Sequence, residues 1–157
     1  MERTISTQIQ LTILKPVEEV FNAAAQPVPF FVQETSGPLV EGKTIEWKFP
    51  EFPMVIPVRV RKVEPYKLIR FEWDSSFGKP NTCEFAFGRP QDENPGAKPA
   101  GPATTLSIRE SGWPDDAKGQ EAARRNTMGW MHMACALKAY LEYGVNLRQG
   151  SFLHMKF

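Results

Sequence analysis

Six stretches of this chain alternate apolar and polar residues, and they are served by only one long stretch of helical periodicity. Residues 3–14 place Ile5, Ile9, Leu11 and Ile13 on one side and Ser6, Gln8, Gln10 and Thr12 on the other. The run "KTIEWKF" aligns Ile45, Trp47 and Phe49, and "MVIPVRVRKV" aligns Ile56, Val58 and Val60. "KLIRFEWD" aligns Ile69, Phe71 and Trp73, and "NTCEFAFG" aligns Cys83, Phe85 and Phe87. The last run, 104–110, aligns Thr104, Leu106 and Ile108. A period of two with one polar face predicts an antiparallel sheet covered on a single side. The cover has one source. Across roughly 117–143, Ala123, Trp130, Ala134, Leu137 and Leu141 make one helical stripe, flanked by Met133 and Tyr140 and closed by Gly144.

Between the first strand and the rest, "KPVEEVFNAAA" reads as a short helix, with Pro16 in its first turn and Glu18 and Glu19 facing the helix dipole. "PVPFFVQE" reads as a second short helical or turn segment, and "SGPLVEGK" as turns. "RPQDENPGAKPAGPA" carries too much Pro and Gly for either a helix or a strand, and is expected to be a mobile surface insertion. The fold class is therefore α+β. A six-stranded antiparallel sheet wraps a long C-terminal helix, with two short helices after the first strand. The expected organisation is one domain over 1–157. A twisted sheet closed by a single helix seldom fills its own interior, so a cavity between them is expected.

One residue breaks the apolar face. Counting on from Ile108, the next inward side chain is Glu110, and Gly112, Trp113 and Pro114 then end the strand. A carboxylate there needs hydrogen bonds, a cation or water. Glu110 either ties down the start of the following helix or faces a ligand, and the tether is the favoured reading. Glu142 and Arg148, on either side of Gly144, are expected to pair and fix the helix end.

Composition removes several classes. The 19 basic and 18 acidic residues nearly cancel, with no basic stripe on any element, so no nucleic-acid partner is expected. No apolar run reaches the length of a membrane span, and "MERTISTQIQ" has no apolar core of a secretory signal. Cys83 and Cys135 are too few for a disulfide framework and suit reduced thiols in the cytoplasm. His132 and Cys135 share helical spacing but lack the other ligands of a metal site, so neither metal nor cofactor is expected. No nucleophile elbow, HExxH or phosphate loop occurs.

The segments "PVEEVFNA", "EGKTIEW", "IRFEW", "TLSIRESGW" and "GWMHMACALKAYLEYGVNLR", in that order, resemble the START-like superfamily, also called SRPBCC. Within it they are most similar to the group named after the C-terminal domain of the heat-shock chaperone ATPase activator. The resemblance implies a helix-grip fold with a pocket between sheet and helix, whose members bind lipids, sterols, polyketides or hormones. Some members are cyclases or aromatases. The chaperone-binding role goes with an additional N-terminal domain and is not expected of this chain.

The expected function is binding of a small apolar, aromatic or lipid-like molecule. Trp47, Phe49, Val58, Phe71, Trp73, Phe85 and Phe87 would form the sheet wall. Trp130, Met133, Ala134 and Leu137 would form the helix wall, with Glu110 and Trp113 near one end. One alternative is a cyclase- or dehydratase-like enzyme with Glu110 as general base. Another is an interaction module or homodimer, because Met128, Cys135, Ala136, Ala139 and Tyr143 would make the outer helix face apolar unless the C-terminal tail covers it.

Overall fold

The computed structural model describes residues 2–155. In chain order the elements are β1 (Thr4–Ile13), α1 (Val17–Ala25), β2 (Glu34–Thr35), β3 (Thr44–Lys48), β4 (Val55–Glu64), β5 (Leu68–Asp74), β6 (Pro80–Gly88), α2 (Pro90–Glu93), β7 (Thr104–Pro114) and α3 (Ala117–Tyr143). The strands form one antiparallel sheet in the order β1-β7-β6-β5-β4-β3-β2, so the first strand returns beside the last. The alternating runs all lie in strands, because each buries one side chain in two against α3, α1 or the segment after it.

The sheet has seven strands rather than six. The extra strand, β2, is two residues long and pairs Glu34 with Lys48 and Thr35 with Trp47. Two polar residues carry no readable period; the pairing is made by backbone, including Gln33 N–H to Lys48 O at 2.7 Å. The second short helix expected at 27–34 is absent. Residues 28–31 are turns, with the Phe31 and Val32 N–H groups both donating to Pro27 O, and Pro27 and Pro29 have no N–H to extend a helix. Conversely, the stretch expected to hold neither helix nor strand contains the single turn α2. Its Asp92 accepts from Arg89 N–H at 2.8 Å, and Glu93 accepts from Gln10 of β1, also at 2.8 Å.

β7 runs past Glu110 to Pro114. A bulge lets it continue, because the partner of Ile5 is Trp113 while that of Ser6 is Ser111. Gly112 is the inserted residue, at φ +125°, a conformation an L side chain rarely adopts. The insertion shifts the phase by one, which turns Trp113 inward.

α3 starts at Asp116, whose carboxylate accepts from Gly119 N–H at 2.8 Å, and ends at Gly144 in the left-handed conformation, φ +68°. Its buried stripe is Gly119, Ala123, Trp130, Met133, Ala134, Ala136 and Leu137. Ala136 was expected on the outer face; it lies instead on the flank of the buried stripe and is fully buried. Near its C-terminal end Lys138 donates to Thr12 O at 2.8 Å and to Glu142 at 2.6 Å, and Glu142 accepts from Leu14 N–H at 3.0 Å. This clips the helix to the end of β1. Glu142 therefore pairs with Lys138, not with Arg148.

Candidate functional site

Strand periodicity carries Trp47, Phe71, Trp73 and Phe85 to one region of the sheet, and α3 lays Trp130 across them. Trp130 stacks on Trp73 (5.4 Å between centroids) and meets Phe85 edge-on at 5.7 Å. Trp47 meets Phe71 at 5.4 Å and Trp73 at 6.2 Å, with Phe49 beside it. Val58, Met133, Ala134 and Leu137 are fully buried in the same core. Phe87, expected in the sheet wall and part of the same core, and Trp113, expected near one end, have other neighbours. Phe87 packs on Phe21 of α1 at 5.2 Å, and Trp113 is buried beyond the bulge, outside the apolar cluster.

The sequence reading missed Phe31. From the turn segment before β2 it reaches into the cluster, stacking on Trp130 at 5.2 Å and standing edge-on to Trp47 and Phe49 at 5.6 and 5.1 Å. Two adjacent phenylalanines between prolines were its only signal.

Glu110 closes one end of the cluster and is 1% exposed. Oε1 accepts from Trp130 Nε1 at 2.8 Å and Asn126 Nδ2 at 2.9 Å, both on α3. Oε2 accepts from Trp73 Nε1 at 2.8 Å and Asn81 Nδ2 at 2.9 Å, both on the sheet. Four neutral N–H groups thus fill the lone pairs of the carboxylate. Glu110 bridges sheet and helix in the third and fourth turns of α3, whereas the first turn is capped by Asp116. No arginine shares the site, as the structure records no ion pair to Glu110 among the described residues. The neighbouring Cys83 thiol is pushed well above its usual range by burial and then by the Glu110 charge.

Two buried polar atoms of this region have no partner among the described residues: the indole Nε1 of Trp47 and Oδ1 of Asn81. Such atoms are rare in folded interiors and mark positions where water or a ligand atom is accommodated. Gly112 lies against the second, since a Cβ there would come within 2.6 Å of Asn81 Oδ1.

The C-terminal tail folds back beside the cluster. Buried Arg148 donates from Nε to Phe31 O at 3.0 Å and forks onto Glu51, with Nη2 to Oε2 at 2.7 Å. Its guanidinium also lies over the Phe152 ring, which packs on His132 at 4.9 Å. Burial alone would raise the Glu51 carboxyl, but hydrogen bonds and charge from Arg148 hold it below the usual range. Burial and the Arg148 charge lower His132, whose Nε2 has no partner among the described residues.

Two surface depressions lie apart from the aromatic cluster. One of about 400 Å³ sits on the first turns of α3, between Ala117 and Asn126. Another of about 430 Å³ lies between Val17, Tyr66, Arg89 and Pro102. Phe87 alone among the predicted wall residues borders either of them. Among the described residues no cluster of three or more His, Cys, Asp or Glu could hold a metal ion, and no helix is long and apolar enough to cross a membrane.

The sequence matches no protein-family profile and no curated protein. Solved structures do match. A Staphylococcus saprophyticus protein superposes with a TM-score of 0.72 at 22% identity, over 92% of this chain and 96% of its own. A protein of the dynemicin biosynthetic locus gives 0.71 at 23% identity, over 91% of this chain and 49% of its own. The Aha1 dimer of Colwellia psychrerythraea gives 0.71 at 17% identity, over 89% of this chain and 98% of its own. The chain shares their fold. At these identities the likeness concerns architecture, a sheet gripping a long C-terminal helix, and carries no activity with it.

Proposed function

We propose that this protein binds a small apolar molecule, aromatic or lipid-like, in the interior between the sheet and α3. The observation that carries the reading is the indole Nε1 of Trp47, without a partner among the described residues inside an interior built of aromatic rings; Asn81 Oδ1, beside Glu110 and Gly112, is a second such atom. Each such atom costs about 1–3 kcal/mol when left unpaired. A ligand carrying an acceptor would answer the Trp47 N–H. Its affinity would come mainly from apolar burial, at about 25 cal/mol per Å². The superfamily resemblance implies a pocket between sheet and helix, and the solved structures share the fold that would hold it.

A reaction with Glu110 as general base is disfavoured. All four of its lone pairs are engaged, and releasing one would loosen either the sheet or the helix. Native mass spectrometry of the protein as purified tests the binding reading. The expected result is a retained small molecule, or a mass shift with a panel of lipids and polyphenols; persistent absence of both overturns it.

A second reading, a homodimer through the outer face of α3, rests on Met128 and Met131, exposed in adjacent turns, and on Tyr143, exposed at the helix end. The Colwellia protein of the same fold is itself described as a dimer. Sedimentation velocity decides: a monomer at all concentrations excludes the dimer.

A further inference from the structure

Of the rings in the cluster around Trp130, Phe31 stands out because of what carries it. Trp47, Phe71, Trp73 and Phe85 are fixed by strands and Trp130 by α3, so moving any of them breaks a ladder or a helix. Phe31 belongs to turns, and its N–H bonds only to the nearby Pro27 O. Its carbonyl is held by a single distant side chain, Arg148, which is in turn held by Glu51. Among the described residues Phe31 is also one of the two rings that stack on Trp130, the other being the strand-borne Trp73. The surroundings of the Phe31 ring are specific: the Trp130 indole stacked on it, and Trp47 and Phe49 standing nearly perpendicular to it, Trp47 being the residue whose indole N–H has no partner among the described residues.

We infer that Phe31 occupies the slot of a planar aromatic ligand, and that the Arg148–Glu51 pair is the latch on it. The inference rests on the binding reading above and deepens it by naming the ligand class. A flat ring replaces Phe31 on Trp130, and an oxygen on that ring accepts from Trp47 Nε1. Aromatic rings favour this offset stacking, and a hydrogen bond that answers a buried donor adds selectivity for an oxygen-bearing ring over a plain hydrocarbon. The wild-type protein must first expel Phe31, so its apparent affinity is lowered by the fraction of molecules in which the turn has opened.

Calorimetric titration with 2-naphthol, and with naphthalene as the matched ring without an oxygen, tests this. Phe31→Ala should bind 2-naphthol about tenfold or more tighter than wild type, because the slot is opened in advance. Glu51→Gln, which leaves every ring in place, should move affinity in the same direction by a smaller factor. Trp47→Phe in the Phe31→Ala background should abolish the preference for 2-naphthol over naphthalene; an undiminished preference overturns the role given to the indole N–H. A folded Phe31→Ala variant that binds no tighter than wild type overturns the slot. Should that variant not fold, wild-type affinity in Glu51→Gln overturns it equally. If the slot fails while wild-type protein still retains an apolar molecule in native mass spectrometry, the binding reading stands without it. Failure of both experiments removes both.

Discussion

Replacing Glu110 tests whether one carboxylate joins the two layers of this fold. In Glu110→Ala, two indole N–H groups and two asparagine amides lose their acceptor in a site 1% exposed. Each orphaned donor costs about 1–3 kcal/mol, so the loss is at least about 4 kcal/mol, a large share of the 5–15 typical of a domain. Glu110→Gln is gentler. Its remaining oxygen keeps two bonds and its amide faces the other pair. If that pair is Trp73 and Asn81, Asn81 can turn its amide, because its own Oδ1 has no partner to lose among the described residues. The Trp73 indole cannot turn. One orphaned donor and weaker neutral bonds are partly offset by no longer burying a charge, leaving a net loss of about 2–3 kcal/mol. Urea denaturation followed by far-ultraviolet circular dichroism measures both variants, and a double-mutant cycle with Asn126→Ala isolates the bond to the helix. The reasoning is refuted if both variants lie within about 0.5 kcal/mol of wild type, the range of an ordinary surface change. A stable Glu110→Gln protein with altered ligand uptake would move Glu110 from tether to binding site.

Three further outcomes are expected. Gly119→Ala, normally a gain of up to about 1 kcal/mol in a helix, should destabilise by more than about 2 kcal/mol, because its Cβ would lie 1.9 Å from Pro114 O; an unchanged melting temperature would contradict the close approach of helix and strand. Stability should fall steadily from pH 7 to pH 3. The lowered His132 contributes fully above its ordinary value of 6.5 and less as pH drops below it. The lowered Glu51 and Glu142 contribute above 4.5 and lose that contribution as pH falls through their lower folded values. Urea midpoints across this range check the trend, with His132→Gln flattening its upper part; a midpoint that rises on acidification contradicts it. Finally, a thiol reagent on the native protein should modify half-buried Cys135 well before Cys83, which is buried and held protonated; mass mapping of equal modification would contradict that placement.

The aromatic interior was legible because strand periodicity assigns faces reliably: Trp47, Phe71, Trp73 and Phe85 recur at every second position of their strands, and Trp130 falls on the apolar stripe of α3 that faces the sheet. Glu110 was legible as an exception to the same rule. Phe31 was not, since a turn has no period and its side-chain direction depends on where distant residues draw its backbone. β2 escaped for a related reason: two residues paired by backbone leave no side-chain signature.

The sequence by itself determined a one-faced antiparallel sheet, a single long helix to cover it, and an acid on the inner face of the last strand. These follow from local periodicity and capping, which act over neighbouring residues. Only the tertiary structure decided what the acid holds, where the tail docks and which ring fills the slot on Trp130. The four donors to Glu110 come from Trp73, Asn81, Asn126 and Trp130, and Arg148 reaches Phe31 and Glu51 across more than half the chain. Hydrogen bonds between residues so far apart are set by how the layers close on each other, which no local pattern encodes.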